Sequence, residues 1–389
     1  MTATTLAASG ATGPITVEAV DSKARLNQFI RLPWKIFAGD AAWVPPLISE
    51  IKKQLSPKNP FFGHATGRYF LAFREGRPVG RISAQVDRLA IEKQGRKVGH
   101  FGFLDAIDDR AVFAALFKAA EDWLRERGME RVVGPYSLSV NQESGLLVDG
   151  FTTPPMMMMG HARPWYGPHV EALGYTKVKD LYAYLLDIRG DFPPLIDKLV
   201  DRSLGQGRIR LRDLDMRHFH RDLADIIAIY NEAWADNWGA VALTDAEALA
   251  DARAMRPIVN SRLIKIAEID GQAVGMMATL PNINEVIRDL GGRLFPFGWA
   301  KVLWRLKVGF PKTVRVVMMG VLKKYQATPQ GAAIAFMLIT LIRREARALG
   351  VTHGELSWVL EDNQGMRQIA ETIRSDIYKT YRIYSKPLI

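Results

Sequence analysis

The sequence predicts an α/β (α+β) fold built from two tandem modules, each with a mixed sheet flanked by helices. Three observations support this expectation. The chain has 389 residues, enough for two domains rather than a single core. Hydrophobic residues make up 48% of it, which suits a packed interior and excludes wholesale disorder. One order of elements (helix, hairpin, strand, helix, strand, helix, strand) also occurs twice, about 200 residues apart.

The hairpin is the first repeated element. Residues 76–80 and 271–275 each begin and end with glycine, and each segment stands between two apolar runs. Glycine at a tight turn between apolar runs is typical of a hairpin. We therefore expect a pair of antiparallel strands at each place.

A long helix followed by a strand is the second repeated element. Residues 111–127 and 332–349 have helical apolar spacing, and Gly128 and Gly350 follow them. Glycine is favoured just after a helix because it adopts the left-handed conformation that ends the helix. An apolar strand is expected after each glycine.

A third pairing has a constant offset and ends each repeat with a helix and a tyrosine-bearing strand. Its matched positions are Glu171 and Glu371, Leu173 and Ile373, and Tyr184 and Tyr384. Residues 187–213 between the repeats are rich in proline and glycine, as linkers are. We expect one module over residues 14–200 and a second over residues 201–389.

Composition limits the chemistry and the location. The chain has no cysteine, which excludes disulfides, thiolate metal sites and a thiol nucleophile. The first thirteen residues are small and polar, and they predict a loose leader rather than a signal peptide. No run of about 18 apolar residues predicts a spanning helix. The expected location is the cytoplasm, with peripheral contact at the inner membrane face left open.

A formal charge of +11 favours anionic partners, such as a nucleotide-bearing cofactor or an anionic lipid. No recognised nucleic-acid module interleaves basic and aromatic residues, so we expect no nucleic-acid partner. No pair of histidines has the spacing of a zinc site, so no metal is expected.

The segment that most indicates a site is residues 314–333. An apolar strand is followed by a basic turn with Lys323 and Lys324, and then by a helix that begins with small residues. The first N–H groups of a helix and the positive end of its dipole attract phosphate. The pattern predicts an anion site, although a blunt helix start with Pro329 in its first turn has a similar sequence.

Residues 328–333, Thr-Pro-Gln-Gly-Ala-Ala, resemble the pyrophosphate loop of the GNAT acyltransferase superfamily. That loop has the pattern Gln/Arg-x-x-Gly-x-Gly/Ala, and Thr328 replaces its first residue. Residues 356–363 resemble the next strand of the superfamily and the asparagine after it. The resemblance covers about residues 220 to 389 and implies acyl-CoA as a co-substrate.

The resemblance also implies roles for particular residues. In the second module it implies a set of acyl-CoA contacts: Met319, Gly320, Val321, Gln330, Gly331, Ala332, Ala333 and Asn363. Tyr381 would donate a proton to the departing sulfur, and Glu361 or Glu143 would act as general base. Lys323, Lys324 or Gln330 would compensate for Thr328.

The first module differs at the equivalent loop, residues 101–110. Asp105, Asp108 and Asp109 there would repel a pyrophosphate, and they also suit the cap of a helix that begins near Arg110. We expect a degenerate GNAT-like module that shapes the acceptor side.

Candidate acceptor contacts occur in both modules. In the first, Asn141, Glu143 and His161 stand near the methionine run 156–159, which is either a soft pocket wall or ordinary core. In the second, Asn237 and Trp238 follow a helix, and the neighbouring Trp234 has the spacing of a core residue.

Residues 285–312 form an apolar, aromatic and basic insertion. Six Lys or Arg residues against two acidic residues give a local charge of +4. This composition is typical of an interfacial helix, of a lid over a long apolar ligand, or of a packed helical hairpin.

Three further segments point to one family within the superfamily. Residues 59–62, 145–151 and 292–299 resemble the family that contains bacterial ceramide synthases, which transfer a fatty acyl group from CoA to the amine of a sphingoid base. The expected partners are therefore a long-chain acyl-CoA and a lipidic amine. An N-acetyltransferase for a small amine or protein and a non-enzymatic acyl-CoA-binding or lipid-binding protein remain alternatives.

Overall fold

The computed structural model describes residues 13–389. All of the predicted leader except Gly13 therefore lies outside the described residues. The chain divides into two compact units. The first comprises residues up to Leu181, Ile287–Leu294 and Lys379–Ile389, and the second comprises Tyr182–Val286 and Phe295–Tyr378.

The first unit contains a sheet with helices and a final strand from the C-terminus. Its strands are β1 (Ile15–Ala19), β2 (Ala65–Arg74), β3 (Arg77–Asp87), β4 (Val98–Ala106), β5 (Arg131–Gly134), β6 (Leu146–Asp149) and the beginning of β7 (Thr176–Asp187). Its helices are α1 (Lys23–Arg31), α2 (Pro33–Ile36), α3 (Ile48–Gln54), α4 (Arg88–Gln94), α5 (Arg110–Arg125) and α6 (Tyr166–Glu171). Strands β1 to β4 pair antiparallel in sequence order, and β4 pairs parallel with β5.

The second unit follows the same plan. Its helices are α7 (Pro194–Gly205), α8 (Phe219–Trp234), α9 (Asp245–Met255), α10 (Ile283–Ile287), α11 (Gly298–Lys307), α12 (Pro329–Ala348) and α13 (Gln364–Thr372). Its strands are β8 (Arg210–Asp213), β9 (Ile264–Ile269), β10 (Gln272–Pro281), β11 (Thr313–Val321), β12 (His353–Leu360) and the beginning of β13 (Asp376–Pro387). Strands β8 to β11 pair antiparallel, and β11 pairs parallel with β12.

Both predicted hairpins are confirmed. The β2–β3 turn has Glu75 and Gly76 at φ 48° and 70°, and the β9–β10 turn has Asp270 and Gly271 at φ 52° and 77°. Two successive residues with positive φ match the right-handed twist of the paired strands, and glycine adopts the second position without steric cost.

Both long helices also end as predicted. Gly128 and Gly350 have φ of 73° and 77°, the left-handed conformation that ends a helix. Helix α12 buries Ile334, Met337 and Leu338 completely in the core of the second unit. This burial anchors the helix whose first turn bears the predicted anion site.

The division into units differs from the predicted boundary near residue 200. Proline and glycine suggested a linker, but Ile196 and Val200 of α7 pack in the core of the second unit. The C-terminal part of β13 belongs to the first unit, where Tyr384 pairs with Gly134 of β5 and Tyr381 pairs with Leu147 of β6. Sequence periodicity cannot assign a strand to a sheet formed by residues far away in the chain.

Within residues 13–389, no helix has both the length and the apolarity needed to cross a membrane.

Candidate active site

A cleft opens in the second unit where two parallel strands separate. Strands β11 and β12 pair from Thr313 with His353 to Val316 with Leu356, although both strands continue for several residues beyond that point. The empty space there measures about 520 Å³. Helix α8, strands β11 and β12, the loops after α8 and β12, and helix α13 supply its lining: Trp234, Asn237, Val316, Val317, Met318, Met319, Leu356, Ser357, Trp358, Val359, Leu360, Asn363 and Met366.

A bulge in β11 lies at the point where the strands part. Ala278 of β10 pairs with Met318 and Thr279 pairs with Val316, so Val317 is an extra residue in β11. A bulge bends its strand and increases the local twist. The bend carries the end of β11 away from β12 while β11 stays paired with β10.

The register of β11 determines which backbone groups face the cleft. The Leu322 N–H donates to the Val274 carbonyl. Because strand residues alternate in direction, the backbone of Gly320 then faces β10, and that of Met319 and Val321 faces the side from which β12 has departed. Of the three predicted pantetheine contacts, the register favours Met319 and Val321.

Helix α8 packs closely beside the cleft. A Cβ on Gly320 would lie 3.1 Å from the Cβ of Ala233, so the glycine permits this approach. Trp234 Nε1 donates to the Met319 carbonyl at 3.0 Å. The sequence spacing of Trp234 suggested a core residue, but its side chain contributes to the cleft wall. Asn237 lines the cleft as well, while Trp238 lies outside its lining.

The predicted anion loop is compact and closes on a glycine. Thr328 is the N-cap of α12: its Oγ1 accepts from the Gly331 N–H at 3.1 Å and donates to the Tyr325 carbonyl at 2.6 Å. A Cβ on Gly331 would lie 2.1 Å from that carbonyl oxygen, so only glycine fits. Thr328 therefore closes the loop in this chain, where the resembled motif has Gln or Arg.

The other predicted residues at this helix start have different environments. The Ala333 side chain is buried in the core of the second unit. Ala332 and Gln330 are in the first turn, where the Ala332 N–H donates to the Thr328 carbonyl. Lys323 extends from the loop to form an ion pair with Asp236 at 2.5 Å.

The loop after β12 carries two further predicted residues. Asn363 caps helix α13, with its Oδ1 accepting from the Met366 N–H at 3.0 Å, and it also lines the cleft. Glu361 is half-buried next to Leu360, and its carbonyl accepts from Arg367. Its predicted role as a base stays a prediction.

In the first unit, backbone approaches β4 closely at the position that corresponds to the cleft. After β5 the chain returns toward β4: the Tyr136 N–H donates to the Phe101 carbonyl at 2.7 Å, and Gln85 Nε2 donates to the Tyr136 carbonyl at 2.7 Å. A Cβ on Gly102 would lie only 1.7 Å from that Tyr136 oxygen. Backbone therefore occupies the space beside β4.

The helix start in the first unit is also occupied. Asp109 caps α5, its Oδ1 accepting from the Ala111 N–H at 2.8 Å, and its Oδ2 forms an ion pair with Arg74 at 2.7 Å. A carboxylate thus stands at the positive end of the helix dipole, where a phosphate would otherwise bind. The predicted helix cap is confirmed.

A buried group of ionisable residues lies behind this closed surface. Arg81 pairs with Asp105 at 2.7 Å, and the Tyr166 hydroxyl donates to Asp105 at 3.4 Å. Glu143 itself is exposed, and its pKa is raised by partial desolvation and by the charge of Asp105, while Arg81 opposes the rise.

The other first-unit candidates are held by local contacts. His161 Nε2 lies 3.0 Å from Asp40 Oδ2, and burial lowers the pKa of His161. The Asn141 N–H donates to Ser139 Oγ at 3.2 Å. Met156, Met157 and Met159 are buried, as the core interpretation of the methionine run predicts.

Tyr381 is wholly buried in the first unit, at the register position opposite Leu147. A Cβ on Gly145 would lie 2.9 Å from the Cβ of Tyr381, so the glycine accommodates this side chain. Its role as a proton donor stays a prediction.

A polar cluster at the base of the cleft was not among the residues predicted from the sequence. Arg315 of β11 stands opposite Glu355 of β12, and both are wholly or almost wholly buried. Ser357 Oγ donates to Glu355 Oε1 at 2.5 Å, and the Tyr378 hydroxyl donates to Glu355 Oε2. An arginine and a glutamate inside otherwise apolar strands are the signal that would have identified this cluster.

Among the described residues, no group of three or more His, Asp or Glu side chains is arranged to hold a metal ion.

Relatives with known names match nearly the whole chain. The chain is 48% identical over 376 residues to the bacterial ceramide synthase of Caulobacter vibrioides, and the aligned region covers 96% of this chain and 98% of that protein. It is 43% identical over 369 residues to Protein YghO of Escherichia coli, and that alignment covers 94% of each chain. No family model matches the chain.

Solved structures share the fold at low sequence identity. A tandem GNAT protein from the clavulanic acid biosynthesis pathway has a TM-score of 0.56 and 12% identity, covering 97% of this chain and 99% of that one. A GCN5-related N-acetyltransferase from Sphaerobacter thermophilus has a TM-score of 0.52 and 13% identity, covering 97% of each. The predicted α/β fold of tandem GNAT modules is confirmed.

The closed surface of the first unit leads to a stability prediction. Gly102→Ala would place a methyl group against the Tyr136 carbonyl, and it should lower the free energy of unfolding by about 3 kcal/mol or more, because backbone cannot move aside cheaply. Urea unfolding measures the change. Gly63→Ala is the matched control, since a Cβ there meets nothing within 4 Å. Equal stability of the two variants would contradict the close approach.

Proposed function

The chain belongs to the family that includes the bacterial ceramide synthase of Caulobacter vibrioides, and from this premise we propose that it is an acyl-CoA-dependent N-acyltransferase. The acyl donor is a long-chain acyl-CoA, and the acceptor is the amine of a sphingoid base. The observation that carries the proposal is the cleft between β11 and β12 in the second unit.

The cleft suits the amide-bearing arm of CoA. The N–H groups of Met319 and Val321 face the side that β12 has left, while their carbonyls accept from Trp234 and Gln326, and buried N–H groups need hydrogen-bond partners. The pantetheine arm carries amides that pair with such groups as an added strand does. Trp358 also lines the cleft, and its Nε1 has no hydrogen-bond partner within the described part of the chain.

The pyrophosphate of the donor binds at the loop that precedes α12. Helix α12 is long and starts with small residues, so its N–H groups and dipole favour an anion. Thr328 and Gly331 hold the loop in its shape. Lys324 adds positive charge there, while Lys323 is paired with Asp236.

The reaction is attack of a neutral amine on the thioester carbonyl. The developing oxyanion needs hydrogen-bond donors, and the amine must lose a proton. Glu361, Glu143 and Tyr381 stay candidates for proton transfer, and Asn141, His161, Asn237 and Trp238 stay candidates for acceptor binding. In the second unit, Asn237 lines the same cleft as the proposed donor site.

Turnover with defined substrates tests this function. Purified protein is given palmitoyl-CoA or acetyl-CoA with sphinganine or 3-ketosphinganine, while thiol release is recorded and products are identified by mass spectrometry. We expect an amide from palmitoyl-CoA. Gly331→Ala should lower CoA affinity tenfold or more, because its methyl group displaces the Tyr325 carbonyl.

Gly205→Ala is the matched control, since a Cβ there meets nothing within 4 Å. Amide formation from acetyl-CoA alone would indicate an acetyltransferase. Saturable CoA binding without turnover of any pair would indicate a binding protein, and either result contradicts the proposal.

We also propose that α11 and its flanks bind the surface of an anionic membrane, from which a lipidic amine is taken. Large apolar side chains are exposed along this segment, with Phe295 at 80%, Phe297 at 79%, Trp304 at 63% and Val308 at 68%. Helix α11 has no buried residue. Aromatic and basic residues on one helix surface favour the interface of a bilayer.

Charge supports a membrane rather than a protein partner. Residues 291–312 contain five basic residues and no acidic residue. A basic segment close to an anionic surface is attracted by about 1 kcal/mol per charge. The outward apolar side chains then insert while the lysines remain at the headgroups.

Vesicle sedimentation tests this contact. Trp299→Ser combined with Trp304→Ser should weaken binding to phosphatidylglycerol vesicles at least tenfold, because two interfacial anchors are lost. Leu195→Ser is the matched control, since Leu195 is 77% exposed but lies outside this segment. Unchanged binding by the double variant, or equal binding to neutral phosphatidylcholine vesicles, would refute the proposal.

A further inference from the structure

We infer that Ser357 and Glu355 form the proton relay for the amine: Ser357 accepts the proton that leaves the nitrogen, and Glu355 receives the proton of Ser357. This inference rests on the proposed acyl transfer. It assigns a catalytic hydroxyl and a buried carboxylate to the same cleft that holds the proposed donor site.

Ser357 lies where β11 and β12 separate. Val316 and Leu356 are the last paired residues of β11 and β12, so Ser357 is the first residue of β12 beyond the point of separation. It lines the cleft together with Val317, the bulge residue of β11. Its side chain thus stands at the apex of the opening.

The polar cluster lies on the face of the sheet that is opposite the apolar core. Val314 and Leu356 belong to the core that packs around α12. Side chains alternate across a strand, so Arg315, Glu355 and Ser357 project from the opposite face. The polar cluster is therefore separated from the apolar core by the sheet itself.

Hydrogen bonds direct the proton of Ser357. Ser357 Oγ accepts from Arg315 Nε at 2.8 Å and donates to Glu355 Oε1 at 2.5 Å. With an arginine donating to the hydroxyl, the hydroxyl hydrogen is directed to the carboxylate. Ser357 Oγ can therefore accept a proton from the cleft while its own hydroxyl proton passes to Glu355, with no movement of the side chain.

Glu355 is held for this role from two sides. Arg315 Nε lies 3.5 Å from Glu355 Oε1, and the Tyr378 hydroxyl donates to Oε2. Glu355 is wholly buried, and a buried carboxylate stays charged only with such partners. A carboxylate that has lost its water is an effective acceptor for a proton delivered by a hydroxyl.

The proton and electron balance is complete with the two substrates alone. The nitrogen lone pair attacks the carbonyl carbon, the C–N bond forms, and the C–S bond breaks with its electron pair leaving on sulfur. The proton of the nitrogen passes to Ser357 Oγ as the proton of Ser357 passes to Glu355. Its return through Ser357 to the thiolate or to solvent restores the relay.

The test compares pH profiles of kcat for palmitoyl-CoA and sphinganine. Ser357→Ala should lower kcat about 100-fold, within the range that general base catalysis supplies, while CoA affinity stays unchanged. Ser357→Thr keeps a hydroxyl and should restore most of that loss. A structural role alone would not separate kcat from CoA affinity in this way.

Two further variants address Glu355, whose replacement in a buried cluster risks the fold. Glu355→Gln removes the group that receives the proton, so kcat should fall at least as far as in Ser357→Ala. Tyr378→Phe removes a hydrogen bond to the charged carboxylate, so the low-pH limb should move to higher pH. Circular dichroism and thermal unfolding identify any variant that has lost its fold.

The outcomes separate the relay from the proposed function. If the unmodified protein forms no amide, the acyl transfer itself is refuted. If it forms amide and Ser357→Ala keeps its kcat, or Tyr378→Phe keeps its pH profile, the relay is refuted and the acyl transfer stands.

Discussion

The second unit depends on the separation of β11 from β12. A parallel pair normally satisfies the backbone groups of both strands, yet here the pairing stops at Val316 and Leu356 while both strands continue. Buried N–H and C=O groups left without partners are costly, so this opening is stable only with substitutes. Trp234 supplies one by donating to the Met319 carbonyl, and Gln326 supplies another by donating to the Val321 carbonyl. A ligand with its own amides completes the arrangement in the function proposed for this cleft.

The first unit has the same order of elements, but backbone fills the place that corresponds to the cleft of the second unit. Its parallel strands β4 and β5 also pair only briefly, but the chain after β5 folds back so that Tyr136 pairs with Phe101. Gly102 permits this approach, and Asp109 supplies a carboxylate at the start of α5. Backbone and a carboxylate therefore occupy the places in the first unit that correspond to the cleft and the helix start of the second unit.

Several elements were predictable because their causes are local. The hairpin turns follow from glycine beside a residue that tolerates positive φ, and the helix ends follow from Gly128 and Gly350. Short motifs singled out Thr328 and Gly331 at the start of α12 and Asn363 at the start of α13, since helix caps depend on neighbours in the chain. Trp234 and Ser357 were not selected, because spacing alone cannot distinguish a residue that lines a cleft from one that packs in a core.

Residue patterns were sufficient to predict the two-module plan, each hairpin and long helix, and the family resemblance, since each depends on residues close together in the chain. Contacts between distant residues set which unit receives the last strand, where β11 leaves β12, and how Arg315, Glu355 and Ser357 meet. Strand partners and buried ion pairs join residues that are tens to hundreds of positions apart. Their geometry depends on the packing of the whole unit, and no local pattern of residue types specifies it.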